Sequence, residues 1–532
     1  MAEDNGKQTD QTTGGDVLPD VARHRWWILV GLVLAAALEI LDTTVVNVAL
    51  PQMAGNLSAS TDEIAWVSTG YILSNIVVLP MTAFLSSHFG RKKYLIASLI
   101  IFNVARFMCG LSHSLGEIVF WRLVQGAGGA ALISTAQSTI VEIFPRNQTA
   151  MVQAIFSLGL VVTPTLGPAL GGYITDNYSW QTIFFIHIPI GLACLLLVGM
   201  YLQDSVHQTR AATIDVAGIL LLASGMGSLQ YVLEEGERYG WFEDVWISRL
   251  TVIAVVSLVA FVIWELSRRN THPVLDLRVL KDRGLAAAVI IAGALGFGLY
   301  GGVFIYPLFA QTVLGFTPTA TGILLIPGGL ATALGSLICG RVLAKGADPR
   351  HLITIGMVIY IVSMWMLGHL TPQSGEMDAQ AGLLVRGLGL GFMFVPMSVA
   401  AFAGLKGAAI AQGSALFNLM RQMGGSFGIA ILTTYVVDQT HYHRSNLVGA
   451  LYSGRIEYLQ RITGLTAHMM RGGYTLPMAR SAAFGTMNRL IQAQSATMAY
   501  NDGFLLLGII FVVALPVIFL LRRPQRAPVP AR

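Results

Sequence analysis

The chain has 532 residues, of which 54% are hydrophobic and only 11% charged, with a net charge of +5, and its mean hydropathy is +0.64. A soluble domain carries roughly 25% charged residues and needs polar surface to cover its core. These values argue against a soluble enzyme, a disordered chain and a fibrous protein, and leave an all-α membrane protein that crosses the bilayer many times.

Residues 1–26 are polar and read as a cytoplasmic N-terminal tail. A helix needs about 20 apolar residues to cross the hydrocarbon core. Fourteen runs approach that length: 27–50, 65–86, 94–111, 116–140, 150–174, 184–202, 214–233, 247–266, 285–307, 320–343, 352–370, 380–403, 409–435 and 502–521. Residues 522–532 form a second polar tail. An even number of spans returns both termini to one side. On one side fall Arg23, Arg25, Arg91, Lys92, Lys93, Arg146, Arg210, Arg268, Arg269, Arg278, Lys281, Arg283, Arg341, Lys345, Arg350, Lys406, Arg522 and Arg523, whereas the short loops opposite hold only Arg238 and Arg249. This asymmetry predicts that both termini are cytoplasmic. It also assigns the basic residues to membrane orientation, not to nucleic acid.

One outer segment is long. Residues 438–500 carry Arg444, Arg455, Arg461, Arg471, Arg480 and Arg489, which long translocated loops tolerate. Within it, 479–499 has helical periodicity, with Phe484, Met487, Leu490 and Ile491 on one face. It reads either as an amphipathic helix lying on the membrane or on a partner, or as an ordered but inert loop.

The chain repeats itself weakly. Pro51 closes the first run and Pro307 the ninth. Trp121-Arg122 opens a glycine-rich fourth run, and Val385-Arg386 a glycine-rich twelfth. Two six-helix halves follow, residues 27–203 and 285–521, with two extra central helices in 204–284. Halves built around a central site are transporter architecture.

Charges inside the spans are rare and costly, about 2.5–3.5 kcal/mol at mid-bilayer. Glu39 lies near the centre of the first run, and Asp42, three residues on, shares its face. Neighbouring buried carboxylates hold protons more tightly than isolated ones, which suits both to proton coupling. The alternative is a structural carboxylate paired permanently with an arginine. Arg122, a few residues into the fourth run, falls near the depth of Asp42. Arg106 is expected to snorkel to the outer interface. Arg386 and Arg421 are the second-half arginines, the latter with Asn418 and Gln422 on its helix. Asp215 and Asp502 stand at expected helix starts, as caps.

Several motifs resemble one family. The first run ends Leu41-Asp42-Thr43-Thr44-Val45-Val46-Asn47-Val48-Ala49-Leu50-Pro51. The loop after the second reads Ala83-Phe84-Leu85-Ser86-Ser87-His88-Phe89-Gly90-Arg91-Lys92-Lys93. The fourth run holds Arg122, Gln125 and Gly126, and the fifth holds Gly159, Pro164, Gly167, Pro168, Gly171 and Gly172. Trp180, Phe184, Phe185, Pro189, Gly191 and Pro273-Val274-Leu275-Asp276-Leu277 follow. Over nearly its whole length the chain resembles the major facilitator superfamily, and within it the fourteen-helix drug:proton antiporters of the EmrB/QacA type. The second-run loop departs from the family pattern: Ala83 replaces a Gly, Ser87 an Asp and His88 an Arg. Gln181 and His187 stand where the family has Arg and Asn.

The resemblance implies a proton-coupled exporter of small hydrophobic, drug-like compounds in a bacterial inner membrane. It implies coupling by Asp42 and Arg122, to which the depth and spacing of Glu39 add that residue, and gating by Gly90, Arg91, Lys92, Gln125, Gly126 and the fifth-run glycines and prolines. It also implies a periplasmic membrane-fusion adaptor and an outer-membrane channel as partners. Tyr71, Phe156, Tyr300, Phe304, Phe394, Met397, Phe417, Asn418, Met420 and Arg421 are cavity candidates, where rings and Met side chains suit varied apolar ligands. No phosphate-binding loop, metal-ligand spacing or nucleophile motif is present in the sequence. Energy would then come from a proton gradient, without a cofactor or metal. Two alternatives stay open, a carrier of a specific metabolite with the same fold and a non-transporting membrane receptor or subunit.

Overall fold

The computed structural model describes residues 19–204, 215–268, 270, 273–449, 451 and 456–521. Arg210, Arg269, Arg455, Arg522, Arg523 and most of both tails lie outside the described residues, as does the side chain of Pro168.

The described residues form helices joined by short turns. The first half holds α1 (Pro19–Asn56), α2 (Thr61–Ile64), α3 (Trp66–Val78), α4 (Thr82–Phe89), α5 (Arg91–Leu111), α6 (Leu115–Ile143), α7 (Arg146–Asn177), α8 (Thr182–Ile186) and α9 (Ile188–Tyr201). The insertion is α10 (Val216–Glu235) and α11 (Val245–Leu266). The second half holds α12 (Arg283–Thr312), α13 (Pro318–Ala344), α14 (Pro349–Leu367), α15 (Glu376–Phe402), α16 (Ala408–Gly449), α17 (Ile456–Arg471) and α18 (Leu476–Ala514). Among the described residues, 12 helices are long and apolar enough to cross a membrane. The fifth and thirteenth expected runs fall on α7 and α16, which do not meet that criterion.

Local chemistry sets where the spans begin. Ser114, Asp215, Asp244, Asp282, Thr317 and Asp348 each cap a helix by accepting a backbone N–H from its first turn. Such caps satisfy donors that a helix start leaves orphaned. The capping role expected of Asp215 is therefore present, with Gly218 N donating at 2.9 Å. Asp502 differs, because it lies inside α18, where it meets His443 Nε2 at 2.7 Å.

Packing repeats between the halves. α1 packs on α7 and α9, and α12 packs correspondingly on α16 and α18. α6 is flanked by α3 and α5, and α15 by α13 and α14. Glycines permit these crossings, since helices in lipid associate by close backbone approach. A methyl group on Gly126 would collide with the Tyr71 carbonyl on α3, and one on Gly387 with the Gly328 carbonyl on α13. α10 and α11 pair with each other, and α10 leans on α3 and α16.

Two boundaries differ from expectation. α1 begins at Pro19, inside the segment read as a tail. The outer segment 438–500 is largely helical, because α16 continues to Gly449 and 479–499 is the leading part of α18. Its polar residues sit in helices that outrun the apolar window on which the spans were delimited.

Candidate functional site

α1 places Glu39 and Asp42 one turn apart on a buried face, 6% and 1% exposed. Asp42 points at α5 and α6. Its Oδ1 accepts from Arg106 Nε at 3.2 Å, from Arg106 Nη2 in a close ion pair and from Gln125 Nε2 at 3.0 Å. Its Oδ2 accepts from Arg122 Nη1 in a second close ion pair. Arg122 is fixed in turn by Val67 O at 2.8 Å and Gln125 Oε1 at 3.0 Å, with its guanidinium 4.4 Å from the Tyr71 ring centroid. One carboxylate thus compensates two buried guanidiniums, and breaking such a unit leaves charge stranded.

Arg106 does not snorkel. It is fully buried, with its guanidinium 5.0 Å from the Phe102 ring centroid. The sequence shows the depth of an arginine but not the acid on another helix that makes burial tolerable.

Glu39 has different company. Its Oε1 accepts from Asn75 Nδ2 at 3.0 Å and its Oε2 from the backbone N of Ile133 at 3.2 Å. These hydrogen-bond partners are neutral. Asn75 Oδ1 accepts from Gln422 Nε2 of α16 at 3.0 Å, so the environment of Glu39 extends into the other half. Neither Asn75 nor Gln137 stood out in the sequence. The available signal was a lone amide in an otherwise apolar run.

A second polar layer joins the halves. Asn418 Nδ2 donates to Gln137 Oε1 at 2.6 Å, Gln137 Nε2 to Ser398 Oγ at 3.3 Å, and Ser414 Oγ to Ser134 O at 2.9 Å. These residues sit late on α6 and α15 and early on α16, so the layer lies toward the end of the bundle that carries Arg91 and Lys406. At that end Gly90 has φ +97°, a backbone state that glycine adopts without strain. Arg91 pairs closely with Glu142, and Lys92 N donates to Asp204 Oδ1 at 2.9 Å. The loop is thereby anchored to Glu142 of its own half and to Asp204 just after α9, although Ser87 offers no carboxylate.

Among the described residues, no carboxylate pairs with Arg386 or Arg421 as Asp42 does with Arg106 and Arg122. Arg386 Nη1 donates to Gly302 O at 2.7 Å, and Arg421 donates to Tyr300 Oη at 2.7 Å and Asn418 Oδ1 at 3.4 Å. Among the cavity candidates, Tyr71, Phe156, Phe394, Met397, Phe417, Asn418 and Arg421 are buried, Tyr300 and Phe304 half-buried, and Met420 exposed. On α7, Gly167 faces Thr44 and Gly171 faces the Val45 carbonyl of α1, while Gly172 has Thr319 Oγ1 of α13 as its nearest neighbour. Pro164 is buried within the same continuous helix. These glycines pack α7 between α1 and α13. Among the described residues no cluster of His, Cys, Asp and Glu could hold a metal.

The family model of the Major Facilitator Superfamily matches residues 32–429. The chain is 31% identical to the multidrug export protein EmrB of Escherichia coli (strain K12) over 93% of its own length and 95% of the relative's. It is 35% identical to EmrB of Haemophilus influenzae, covering 79% and 82%. It is 31% identical to the fatty acid resistance protein FarB of Neisseria gonorrhoeae, covering 94% and 96%. Among solved structures, the fold resembles the proton:xylose symporter XylE with TM-score 0.58 at 13% identity, covering 93% of this chain and 95% of that one. The human organic anion transporter MFSD10 gives TM-score 0.57 at 12% identity, covering 92% and 99%.

Proposed function

The chain belongs to the major facilitator superfamily of membrane transporters, and from that premise we propose that it is a proton-coupled multidrug exporter of small hydrophobic or amphipathic compounds. It sits in a bacterial inner membrane with both termini cytoplasmic, as its basic loops suggest, and works by alternating access.

The observation that carries the coupling is the division of labour on α1. Asp42 is saturated by two arginines and a glutamine, and it acts as the scaffold of the first half. Glu39 has neutral hydrogen-bond partners, so its charge is the less compensated of the two in a low-dielectric setting. Glu39 is therefore the group that exchanges a proton. In the outward-open state it loads a proton. The halves then rock to open the Arg91 end, the proton leaves, and substrate enters for the return. Buried side chains such as Phe156 of the first half and Phe394, Met397 and Phe417 of the second supply an adaptable apolar lining when the halves part.

Export extends beyond the inner membrane if an adaptor and an outer channel are engaged. Helices of 42 and 39 residues, α16 and α18, span about 63 and about 58 Å, against a hydrocarbon core of about 30 Å. With α17 they form the projecting surface to which a periplasmic adaptor docks. Deleting residues 456–471 is expected to abolish adaptor co-purification, and unchanged capture would exclude docking there.

A drug-susceptibility panel tests the export reading. Cells expressing the parent protein are expected to tolerate several structurally unrelated hydrophobic compounds that inhibit cells lacking it, and cells expressing Glu39→Gln to lose most of that tolerance. Equal tolerance with and without the protein would sink the reading.

A further inference from the structure

We propose that Asn75 is a positioning residue that reports the protonation of Glu39 to the second half through Gln422. The inference rests on the reading of Glu39 as the proton carrier and adds the route by which the proton moves the gate.

Hydrogen-bond direction fixes how the Asn75 amide is turned. A carboxylate only accepts, and Glu39 receives donors on both oxygens, Asn75 Nδ2 on one and Ile133 N on the other. The Asn75 amide must therefore turn its nitrogen to Glu39 and its oxygen to α16, where Gln422 Nε2 donates to it at 3.0 Å. Three side chains thus form a directed chain, Gln422 to Asn75 to Glu39, that ends on a negative charge. Hydrogen bonds to a charge are roughly twice as strong as neutral ones, and each bond in a chain polarises the next. The bond across the halves is strongest when Glu39 is ionised.

A proton on Glu39 removes the charge and makes one oxygen a donor. The Ile133 N–H is fixed in the backbone of α6, so Asn75 is the partner that turns. Its oxygen then faces Glu39 and its nitrogen faces α16, so the Gln422 amide must turn as well or meet it donor against donor, and in either case the chain no longer ends on a charge. The contact between halves is weakened, and the Arg91 end opens more readily. The sign suits a proton moving inward: an ionised Glu39 holds that end closed, and a loaded one releases it. Other charged or titratable groups facing Glu39 are Asp42 on its own helix and Arg421 on α16, with Tyr71 on α3. Asp42 is held by two guanidiniums, and Arg421 by Tyr300 and Asn418.

The test is the pH dependence of opening, read without any substrate. Spin labels at Phe89→Cys on α4 and Lys406→Cys between α15 and α16, both exposed, report the distance between halves at the Arg91 end. The three natural cysteines are buried. In the parent protein, lowering the pH from about 8 to about 5 is expected to raise the open population about fivefold, the effect of losing one hydrogen bond. Gln422→Met, at a half-buried position, is expected to show the acid-like population at both pH values. Glu39→Gln is expected to be equally insensitive to pH. If Gln422→Met keeps the parent's shift while Glu39→Gln loses it, the relay is wrong and the carrier stands. If Glu39→Gln keeps the shift, the carrier reading itself falls. A parent protein with no shift overturns both.

Discussion

Asp42 and Glu39 differ in what a neutral replacement would leave behind. Asp42→Asn strands two buried guanidiniums, and breaking a buried charge pair costs about 3–5 kcal/mol. The variant is expected to unfold at lower temperature in detergent and to lose transport; an unchanged unfolding temperature would contradict the scaffold role. Glu39→Gln keeps neutral hydrogen-bond partners, while Arg421, which faces it, keeps its bonds to Tyr300 and Asn418, and the mismatch with one donor costs about 1–3 kcal/mol. It is expected to remain folded while its transport no longer responds to a pH gradient. The sequence was legible here up to a point. The spacing of the two acids placed them on one face, and Arg122 lay at the right depth. The split in their environments was not legible, because it is made by α3, α5, α6 and α16. Arg106 was misread for the same reason, and Asn75 passed unnoticed because an uncharged amide barely disturbs an apolar run.

At the scale of elements, close crossings carry the fold. A methyl on Gly126 would press on the backbone of α3, which cannot move aside as a flexible side chain does. Gly126→Ala is expected to cost about 1–3 kcal/mol, the usual range for overpacking, and to reduce transport. Gly199→Ala, where nothing lies within 4 Å, is the matched control and is expected to behave as the parent in thermal unfolding. Twelve of the fourteen apolar runs fall on helices long and apolar enough to cross a membrane, and those on α7 and α16 do not. The runs gave ends poorly: α1, α16 and α18 all run past their apolar windows, since a helix continues through polar residues once neighbours support it. The helical character of 438–500 depends in part on α17 packing against α18, which no local pattern announces.

For the whole molecule, the internal repeat was visible in Pro51 with Pro307 and Arg122 with Arg386, and the packing of the two halves repeats accordingly. The asymmetry between them was hidden. The first half holds Glu39 and Asp42, whereas Arg386 donates to the Gly302 carbonyl with Tyr360 and Tyr306 nearby. The join between halves was also hidden, because Gln137, Ser398, Ser414 and Asn418 pair across stretches of sequence with no shared pattern. That amide and hydroxyl layer ties the halves together toward the Arg91 end. Replacing Gln137 and Asn418 together by Ala removes its main bonds, each worth about 1 kcal/mol net. A cysteine at Ser414, which is buried, is expected to react with maleimide several-fold faster in that double variant. An unchanged rate would place the gate elsewhere.

The central claim is that Glu39 carries the proton exchanged for substrate. Its most direct test is proton movement in proteoliposomes, driven by a gradient of a compound that the susceptibility panel shows to be exported. The parent protein is expected to move protons against the compound's flow, while Glu39→Gln exchanges the compound without moving protons. Proton movement in Glu39→Gln at the parent's rate would contradict the account.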